Sequence, residues 1–252
     1  MANDPLTSWI IESGLLSLRI APMFAFAPPF TLTRTPQLFR ALVGVGLAGC
    51  LVAANSAAVT VDLSAGPLVA TAFRELLLGL VFVLAFQLSF AALYTVGRTI
   101  DIQAGYGLAV IIDPSTKSQT PLVGTLFALL AGAVFFAMDG PAELLRLLAA
   151  SLEAMPLGAG RVPLSLAPLS HYIGTVFMVA LGIGGGVVLS LFLTDMAIAA
   201  LARTVPQMNV LVLGFQVKVF VLMLVLPVVI GLSGALLMRL MRLTLDGIPS
   251  LL

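Results

Sequence analysis

The chain has 252 residues, of which 60% are hydrophobic and only 9% are charged, with 12 basic side chains against 11 acidic ones. A soluble domain carries about a quarter charged residues. The composition therefore excludes a water-solvated globule and predicts a protein surrounded mainly by lipid or by other apolar protein. The nearly balanced charge gives no electrostatic footprint for nucleic acid, so we expect no nucleic-acid partner.

Enzymatic functions are also disfavoured by the residue types present. The chain has one cysteine, Cys50, and one histidine, His171, which is too few for a metal cluster or a cysteine–histidine pair. It has no phosphate-binding P-loop motif. A carboxylate pair at Asp101 and Asp113 is disfavoured because a Gly- and Pro-rich stretch separates the two. We predict no catalytic residues, no metal and no cofactor.

Six hydrophobic runs in chain order approach the roughly 20 residues that a membrane-spanning helix needs. They cover residues 9–30, 42–61, 76–96, 122–138, 172–193 and 219–240. Lipid offers no partner for an open sheet edge, so the predicted fold class is an all-α membrane protein with about six helical segments, some of them broken. The N-terminus lacks the basic region of a signal peptide, and we expect the first segment to be retained.

The first segment carries features that lipid tolerates poorly. It contains Glu12, Arg19, Pro22, Pro28 and Pro29; prolines interrupt the helical hydrogen bonds, and charges in mid-bilayer cost about 2.5–3.5 kcal/mol each on insertion scales. We predict that neighbouring protein surrounds this segment and that the chain works in an assembly.

Two further patterns concern helix packing. The stretch DGPAELLRLLAASLEAMP, residues 139–156, predicts a short amphipathic helix at an interface, with an apolar face and displaced charges. Small residues four apart predict close helix contacts, and we favour ordinary packing within the chain for both sets. These are Gly182, Gly186 and Ser190, and Gly46, Cys50 and Ala54.

The third segment leads into GRTIDIQAGYGLAVIIDPSTKSQTP, residues 97–121. Arg98 and Asp101, three apart, are predicted to form an ion pair on one helix face. Gly105 and Gly107 allow sharp turns, and the irregular stretch after them must be enclosed by protein or line a cavity. A loop that blocks a pore and a plain re-entrant packing loop both meet this demand. The apolar residues that would form the block are Leu108, Val110, Ile111 and Ile112.

Between the last two segments lies ARTVPQMNVLVLGFQVK, residues 202–218. The residue before Pro206 is biased away from helix, so we expect the fifth helix to stop near Thr204. Gln207 and Asn209 supply hydrogen-bonding groups to the turn, and Arg203 and Lys218 flank it. A solvent-exposed hairpin tip on the cytoplasmic side is one interpretation of these polar residues. The apolar residues that follow directly, in VLVL at 210–213, favour the interpretation that this turn is a surface for docking another protein.

The same segment, RTVPQMNVLVLG followed by Lys218, resembles the FliR family of flagellar biosynthesis proteins and their counterparts in type III secretion. The resemblance covers nearly the whole chain, with one departure at Gln216, where the family commonly has proline. The other residues that carry it are Glu75, Gly79, Gly97, Ile100, Asp101, Gly105, Asp113 and Pro114, with weaker support from Arg19, Pro22, Pro36 and Arg40.

The resemblance implies a single export-gate membrane domain over residues 1–252. A FliP-like portion would cover about 1–160 and a FliQ-like helical hairpin about 165–252. The implied partners are FliP-like and FliQ-like subunits, an FlhB-like switch protein, and unfolded flagellar export substrates. The implied location is the bacterial inner membrane, in the flagellar basal body. Residues 106–119, with Asp113 and Pro114, would plug the closed channel, and the turn around Arg203 to Asn209 would face the cytoplasm.

A secondary transporter with broken helices and a midplane site is the alternative function. It requires ionisable side chains that face inward within the spans, and Glu12, Arg19, Glu75 and Asp195 are the candidates. Lysine and arginine are evenly divided between the two sides, so the positive-inside rule does not decide the orientation. We predict that both termini lie outside.

Overall fold

The computed structural model describes residues 5–32, 35–54, 65–106, 121–157, 166–205 and 209–252. Within these ranges all nine elements are helices, and the predicted all-α membrane fold is confirmed. The helices are α1 (Pro5–Phe26), α2 (Pro28–Thr31), α3 (Gln37–Ala54), α4 (Ala65–Gln103), α5 (Leu122–Ala137), α6 (Gly140–Ala154), α7 (Leu166–Thr204), α8 (Val210–Leu232) and α9 (Gly234–Leu251).

Five helices among the described residues are long and apolar enough to cross a membrane. They are α1, α3, α4, α7 and α8. The 16-residue α5 is about 24 Å long at 1.5 Å per residue, which is less than the roughly 30 Å hydrocarbon core of a bilayer. It passes the same criterion only together with α6, from which it is bent by 72°. The fourth predicted segment is therefore a short unbroken helix followed by a sharp bend.

The prolines shorten the first predicted segment. Helix α1 ends at Phe26, because Ala27 is extended at φ −69° and ψ 134°, and Pro28 and Pro29 then open the single turn of α2. Gln87 Nε2 donates to the Phe26 carbonyl at 2.9 Å. This bond satisfies one of the carbonyls that a helix C-terminus leaves without an intrahelical partner.

The sixth predicted segment, residues 219–240, is one of the broken ones. Helix α8 ends at Leu232, and Ser233 separates it from α9. In α9 the apolar residues Leu237, Leu240, Met241, Leu245 and Ile248 are buried on one face, whereas Arg239 and Arg242 are exposed. A helix with one buried apolar face and one exposed charged face packs against protein and is not surrounded by lipid on all sides. The sixth span therefore ends before α9.

The amphipathic helix predicted over residues 139–156 is confirmed as α6. Leu144, Leu148 and Leu152 are buried. Glu143 and Arg146 form an exposed ion pair at 2.9 Å. Its predicted location at an interface stays a prediction.

The chain divides into two compact units. The first contains Met1–Leu88, Phe135–Ile173 and Arg242–Leu252. Its core includes Phe86 and Phe135, whose rings meet edge to face at 5.4 Å between centroids. Tyr172 Oη donates to the Ala85 carbonyl at 2.8 Å. In this unit α1 and α3 pack closely, since a Cβ on Gly44 would lie 2.6 Å from Ala21 Cα.

The second unit contains Ser89–Val134 and Gly174–Met241. Its α4 and α5 touch backbone to backbone, because a Cβ on Gly97 would lie 2.2 Å from Gly124 Cα. Gly184 of α7 faces Val96 on α4, where a Cβ would approach the valine methyl to 2.4 Å. Glycine is required at such contacts because any side chain would push the two helices apart.

Within the second unit α7 and α8 run antiparallel as a helical hairpin. A Cβ on Gly186 would lie 3.4 Å from Val229, and one on Gly214 would lie 3.7 Å from Ile198. Packing within the chain is thus confirmed for the small residues of α7. For those of α3 it stays a prediction, since among the described residues Gly46 has no atom within 4 Å of a built Cβ and Cys50 is exposed.

Candidate functional site

A buried polar network lies in the first unit around Arg19 of α1. The guanidinium forms a bidentate pair with Glu75 of α4, with Nε to Oε2 at 2.7 Å and Nη2 to Oε1 at 3.1 Å. Nη1 also donates to the carbonyl and hydroxyl oxygens of Ser151, at 3.0 and 3.3 Å, and Nη2 donates to the Met155 carbonyl at 2.9 Å. These five hydrogen bonds match the five N–H donors of arginine.

The network shows which protein groups surround the charge of Arg19 in the first predicted segment. The sequence predicts that neighbouring protein surrounds the first segment, and it leaves open whether that protein is a partner subunit. The structure satisfies this charge within the chain, with both Arg19 and Glu75 fully buried. The pair joins α1 to α4, and the bonds to Ser151 and Met155 satisfy carbonyls at the C-terminal end of α6. Sequence spacing could not reveal this, because 56 and 132 residues separate the partners.

In the second unit, Asp101 accepts hydrogen bonds from residues on both sides of the 107–120 segment. Its backbone carbonyl accepts the N–H of Tyr106 at 2.9 Å. Its carboxylate oxygens accept the N–H of Val123 at 3.2 and 3.3 Å. The carboxylate therefore caps the N-terminus of α5, where free N–H groups and the helix dipole favour a negative charge. The ion pair with Arg98 stays a prediction.

Gly105 ends α4 in a Schellman motif. Its φ is +91°, its N–H bonds the Ile102 carbonyl at 3.1 Å, and the N–H of Tyr106 reaches back to Asp101. This conformation favours glycine because it lacks a Cβ, so the sharp turn predicted at Gly105 is confirmed. The predicted plug residues that follow, Leu108, Val110, Ile111, Ile112, Asp113 and Pro114, lie outside the described residues.

The turn between α7 and α8 is described at its two ends. Helix α7 ends at Thr204, as predicted, and Arg203 is exposed in its last turn. Asn209 begins α8 as its N-cap, with its side-chain oxygen accepting the Val212 N–H at 3.3 Å. Pro206 and Gln207 lie outside the described residues.

The structure separates Lys218 from this turn. Lys218 is the ninth residue of α8, about 12 Å along the helix from its first residue at 1.5 Å per residue. Its Nζ pairs with Asp195 Oδ1 of α7 at 2.5 Å. The ion pair therefore joins the two helices of the hairpin away from the turn.

Apolar surface is distributed unevenly among the long helices. In the most apolar stretch of α4 61% of the residues are buried, against 11% in that of α8. The side chains of Phe220, Met223, Leu224, Val228 and Leu232 on α8 are all more than half exposed. Such a face needs lipid or another apolar protein surface.

Several contacts at these sites involve residues that sequence reasoning did not single out. Ser151 carries no motif of its own, since any buried serine looks the same in sequence. The pairing of Gly97 with Gly124 also had no local signal. Among the described residues, no group of three or more His, Cys, Asp or Glu side chains is placed to hold a metal ion.

Long apolar helices, a buried ion pair within one unit and a helical hairpin within the other define a polytopic α-helical membrane protein. Residues 10–244 match the family model for bacterial export proteins, family 1. The chain belongs to this family, the FliR family of bacterial export proteins, and is a membrane component of an export apparatus.

Similar proteins include flagellar and non-flagellar members. The flagellar biosynthetic protein FliR of Bacillus subtilis (strain 168) is 31% identical over 188 residues, which cover 72% of this chain and 71% of that protein. FliR of Pectobacterium carotovorum subsp. carotovorum is 25% identical over 222 residues, covering 86% and 83%. The Yop proteins translocation protein T of Yersinia pestis is 25% identical over 148 residues, covering 58% and 57%.

Proposed function

We propose that this protein is a non-enzymatic component of the flagellar type III export gate in the bacterial inner membrane. In this proposal it forms part of the channel for unfolded flagellar subunits and assembles with FliP-like and FliQ-like subunits next to an FlhB-like switch protein. The observation that carries the proposal is the family match over residues 10–244. Two relatives named as flagellar biosynthetic proteins support the flagellar role.

We further propose two roles within the chain. Residues 106–119 plug the closed channel. This role is supported by the hydrogen bonds that Asp101 accepts from Tyr106 and Val123, which hold the two ends of this stretch together. The turn from Arg203 to Asn209 is a cytoplasmic docking surface, supported by the cap that Asn209 supplies and the exposure of Arg203. The FliP-like portion over about 1–160 and the FliQ-like hairpin over about 165–252 belong to the same proposal.

A midplane transport site is less well supported by the geometry. Arg19 and Glu75 are bound to each other in a bidentate pair, and Asp195 is paired with Lys218. Charges that are already neutralised by such pairs are poor candidates for binding a solute or a coupling ion, because the pair must first be broken.

The plug proposal is tested by replacing both Ile111 and Ile112 with glycine in the assembled complex. We expect the closed channel to leak ions, because a seal excludes ions by being apolar and closely packed. The measurement is ion conductance across the inner membrane, with co-purification of the partner subunits as the check on assembly. The matched control replaces the same two residues with leucine, which keeps the apolar volume and should not leak. Unchanged conductance in an assembled glycine variant contradicts the plug.

The docking proposal is tested with Pro206→Ala combined with Asn209→Ala. We expect protein export and motility to fall while the gate still assembles, because the shape of the turn is lost and Asn209 is exposed. Losing the Asn209 cap by itself costs about 1 kcal/mol. The control is therefore Pro206→Ala with Asn209→Ser, which keeps a capping oxygen. If serine restores export, the defect came from the cap, and normal motility in the first variant removes the docking role.

A further inference from the structure

Arg40, the fourth residue of α3, is a second buried arginine in the first unit. It is 9% exposed and belongs to the buried face of α3, together with Gly44, which packs against Ala21 of α1. In contrast to Arg19, no described residue provides a hydrogen-bond partner for its Nε or Nη1. A buried charge without a partner is strongly destabilising, because neither water nor protein compensates it. Arg40 therefore lacks an anion that its burial requires.

The sequence around Arg40 supplies no carboxylate. Residues 13–61 contain no Asp or Glu. Glu12 precedes this stretch, but its neighbour Ser13 lies beside Gly49 of α3. Gly49 is nine residues, or about 14 Å along the helix, from Arg40. Because no described group from elsewhere in the fold meets the two enclosed nitrogens either, the counterion comes from outside the part of the chain that the structure describes.

The surface around Arg40 indicates what kind of molecule brings this anion. Leu38, Phe39 and Leu42 are all more than half exposed, and only 22% of the residues of α3 are buried. An exposed apolar face of this kind needs lipid or another apolar protein surface. The N-terminus of α3 also favours a negative charge, because the first N–H groups of a helix have no intrahelical partner.

We propose that the start of α3 is a contact site for a partner subunit, which pairs a carboxylate on an apolar surface with Arg40. The inference rests on the proposed function, in which this chain assembles with other membrane subunits. The apolar surface of the partner covers Leu38, Phe39 and Leu42 and excludes water. Its carboxylate accepts hydrogen bonds from the guanidinium, as the carboxylate paired with Arg19 does inside the chain.

A carboxylate on a protein fits this site better than the phosphate of a lipid headgroup. Headgroups lie in the polar layer of the bilayer, where a bound guanidinium stays in contact with water. Two of the three guanidinium nitrogens of Arg40 are enclosed, so the counterion has to lose its water as well. An apolar protein surface meets this requirement, because the contact that pairs the charge also covers the apolar residues around it.

The experiment replaces Arg40 with methionine and measures two properties of the full chain. For the chain purified alone in detergent, the unfolding midpoint should rise, because a buried charge without a partner is removed. For the chain co-expressed with its partner subunits, association should weaken by about tenfold or more, because losing one member of a buried interfacial charge pair has an effect of this size. Dissociation of the purified complex on dilution measures the association. A misfolded variant would instead lower both properties.

Three further variants serve as controls. Arg19→Met also removes a buried arginine, but it should lower the unfolding midpoint of the chain alone, because it leaves the carboxylate of Glu75 unpaired. Arg146→Met removes an exposed arginine and should change neither property. Arg40→Lys keeps the charge without the planar fork of the guanidinium, so its association should lie between those of the unaltered chain and Arg40→Met.

Three results overturn the proposal. The first is association of Arg40→Met equal to that of the unaltered chain. The second is unchanged association together with lower retention of phosphatidylglycerol from vesicles of phosphatidylethanolamine and phosphatidylglycerol, which identifies the anion as a lipid phosphate. The third is a lower unfolding midpoint of the Arg40→Met chain alone, which places the counterion within this chain. Where the chain does not purify alone, association decides.

The proposed function and this inference fail in distinguishable ways. If the unaltered chain purifies without other membrane subunits, the export-gate assignment is wrong. If the unaltered chain forms the complex and Arg40→Met forms it equally well, the assignment stands and only the contact at the start of α3 is wrong.

Discussion

Replacing Glu75 with alanine is expected to lower the free energy of unfolding by about 3–5 kcal/mol, because it leaves the buried charge of Arg19 without its counterion. The two side chains are each only 1% exposed, so water cannot compensate. Unfolding by denaturant, followed through the emission of Trp9, measures the change. Trp9 is the single tryptophan of the chain and lies beside Gly49 of α3, so its emission reports the packing of α1.

The matched control is Glu143→Ala in α6. Glu143 also pairs with an arginine, Arg146, but this pair is exposed, and such pairs contribute about 0–1 kcal/mol. A loss at Glu75 no larger than at Glu143 contradicts the structural role of the network. Glu75→Ala combined with Arg19→Met should recover only part of the loss. The apolar pair removes the buried charge but leaves the carbonyls of Ser151 and Met155 without the donors that Arg19 provides.

The second large effect is expected from Gly97→Ala. The added methyl would lie 2.2 Å from Gly124 Cα and Gly124 N, so α4 and α5 must separate. Overpacking typically costs about 1–3 kcal/mol. We expect the upper end of this range or more, because the obstructing atoms are backbone and cannot rotate away. The change should also disturb the Asp101 cap on α5, since Val123 adjoins Gly124.

Gly185→Ala is the control for this prediction. Gly185 lies in a helix of the same unit, and no atom of the described residues lies within 4 Å of a Cβ built on it. Alanine there should be neutral or stabilising by up to about 1 kcal/mol, through its higher helix propensity. Both variants are compared by their unfolding midpoints in the same detergent. Equal midpoints for Gly97→Ala and Gly185→Ala contradict the close contact of α4 with α5.

The parts of the fold that follow from local chemistry were predictable. Apolar runs of membrane length identified the helices, because lipid requires backbone groups to bond within the segment. The end of α7 near Thr204 followed from the proline at 206, and α6 followed from its leucine spacing. The break at Ser233 was not predictable in this way, since residues 219–240 are apolar on both sides of it.

The candidate site divides along the same line. The glycine at the end of α4 is recognisable in the sequence, because few other residues adopt a positive φ. The polar turn after α7 is recognisable because polar residues are costly to bury between two apolar helices. Lys218 flanks the turn in the sequence. In the structure it pairs with Asp195, because residues far apart in sequence come side by side when the two helices of a hairpin pack together.

By itself the sequence determined the apolar environment of this protein, its helical class and its family. Hydropathy and the conformational limits of proline and glycine act on neighbouring residues, so they can be read from the sequence. The tertiary structure decided which charge neutralises which. It placed Glu75 against Arg19 across 56 residues and Asp101 at the start of α5. Such pairings depend on how distant helices pack, and many partners are compatible with the same local pattern. Only the folded chain selects among them, because a buried charge is stable only where a matching group meets it.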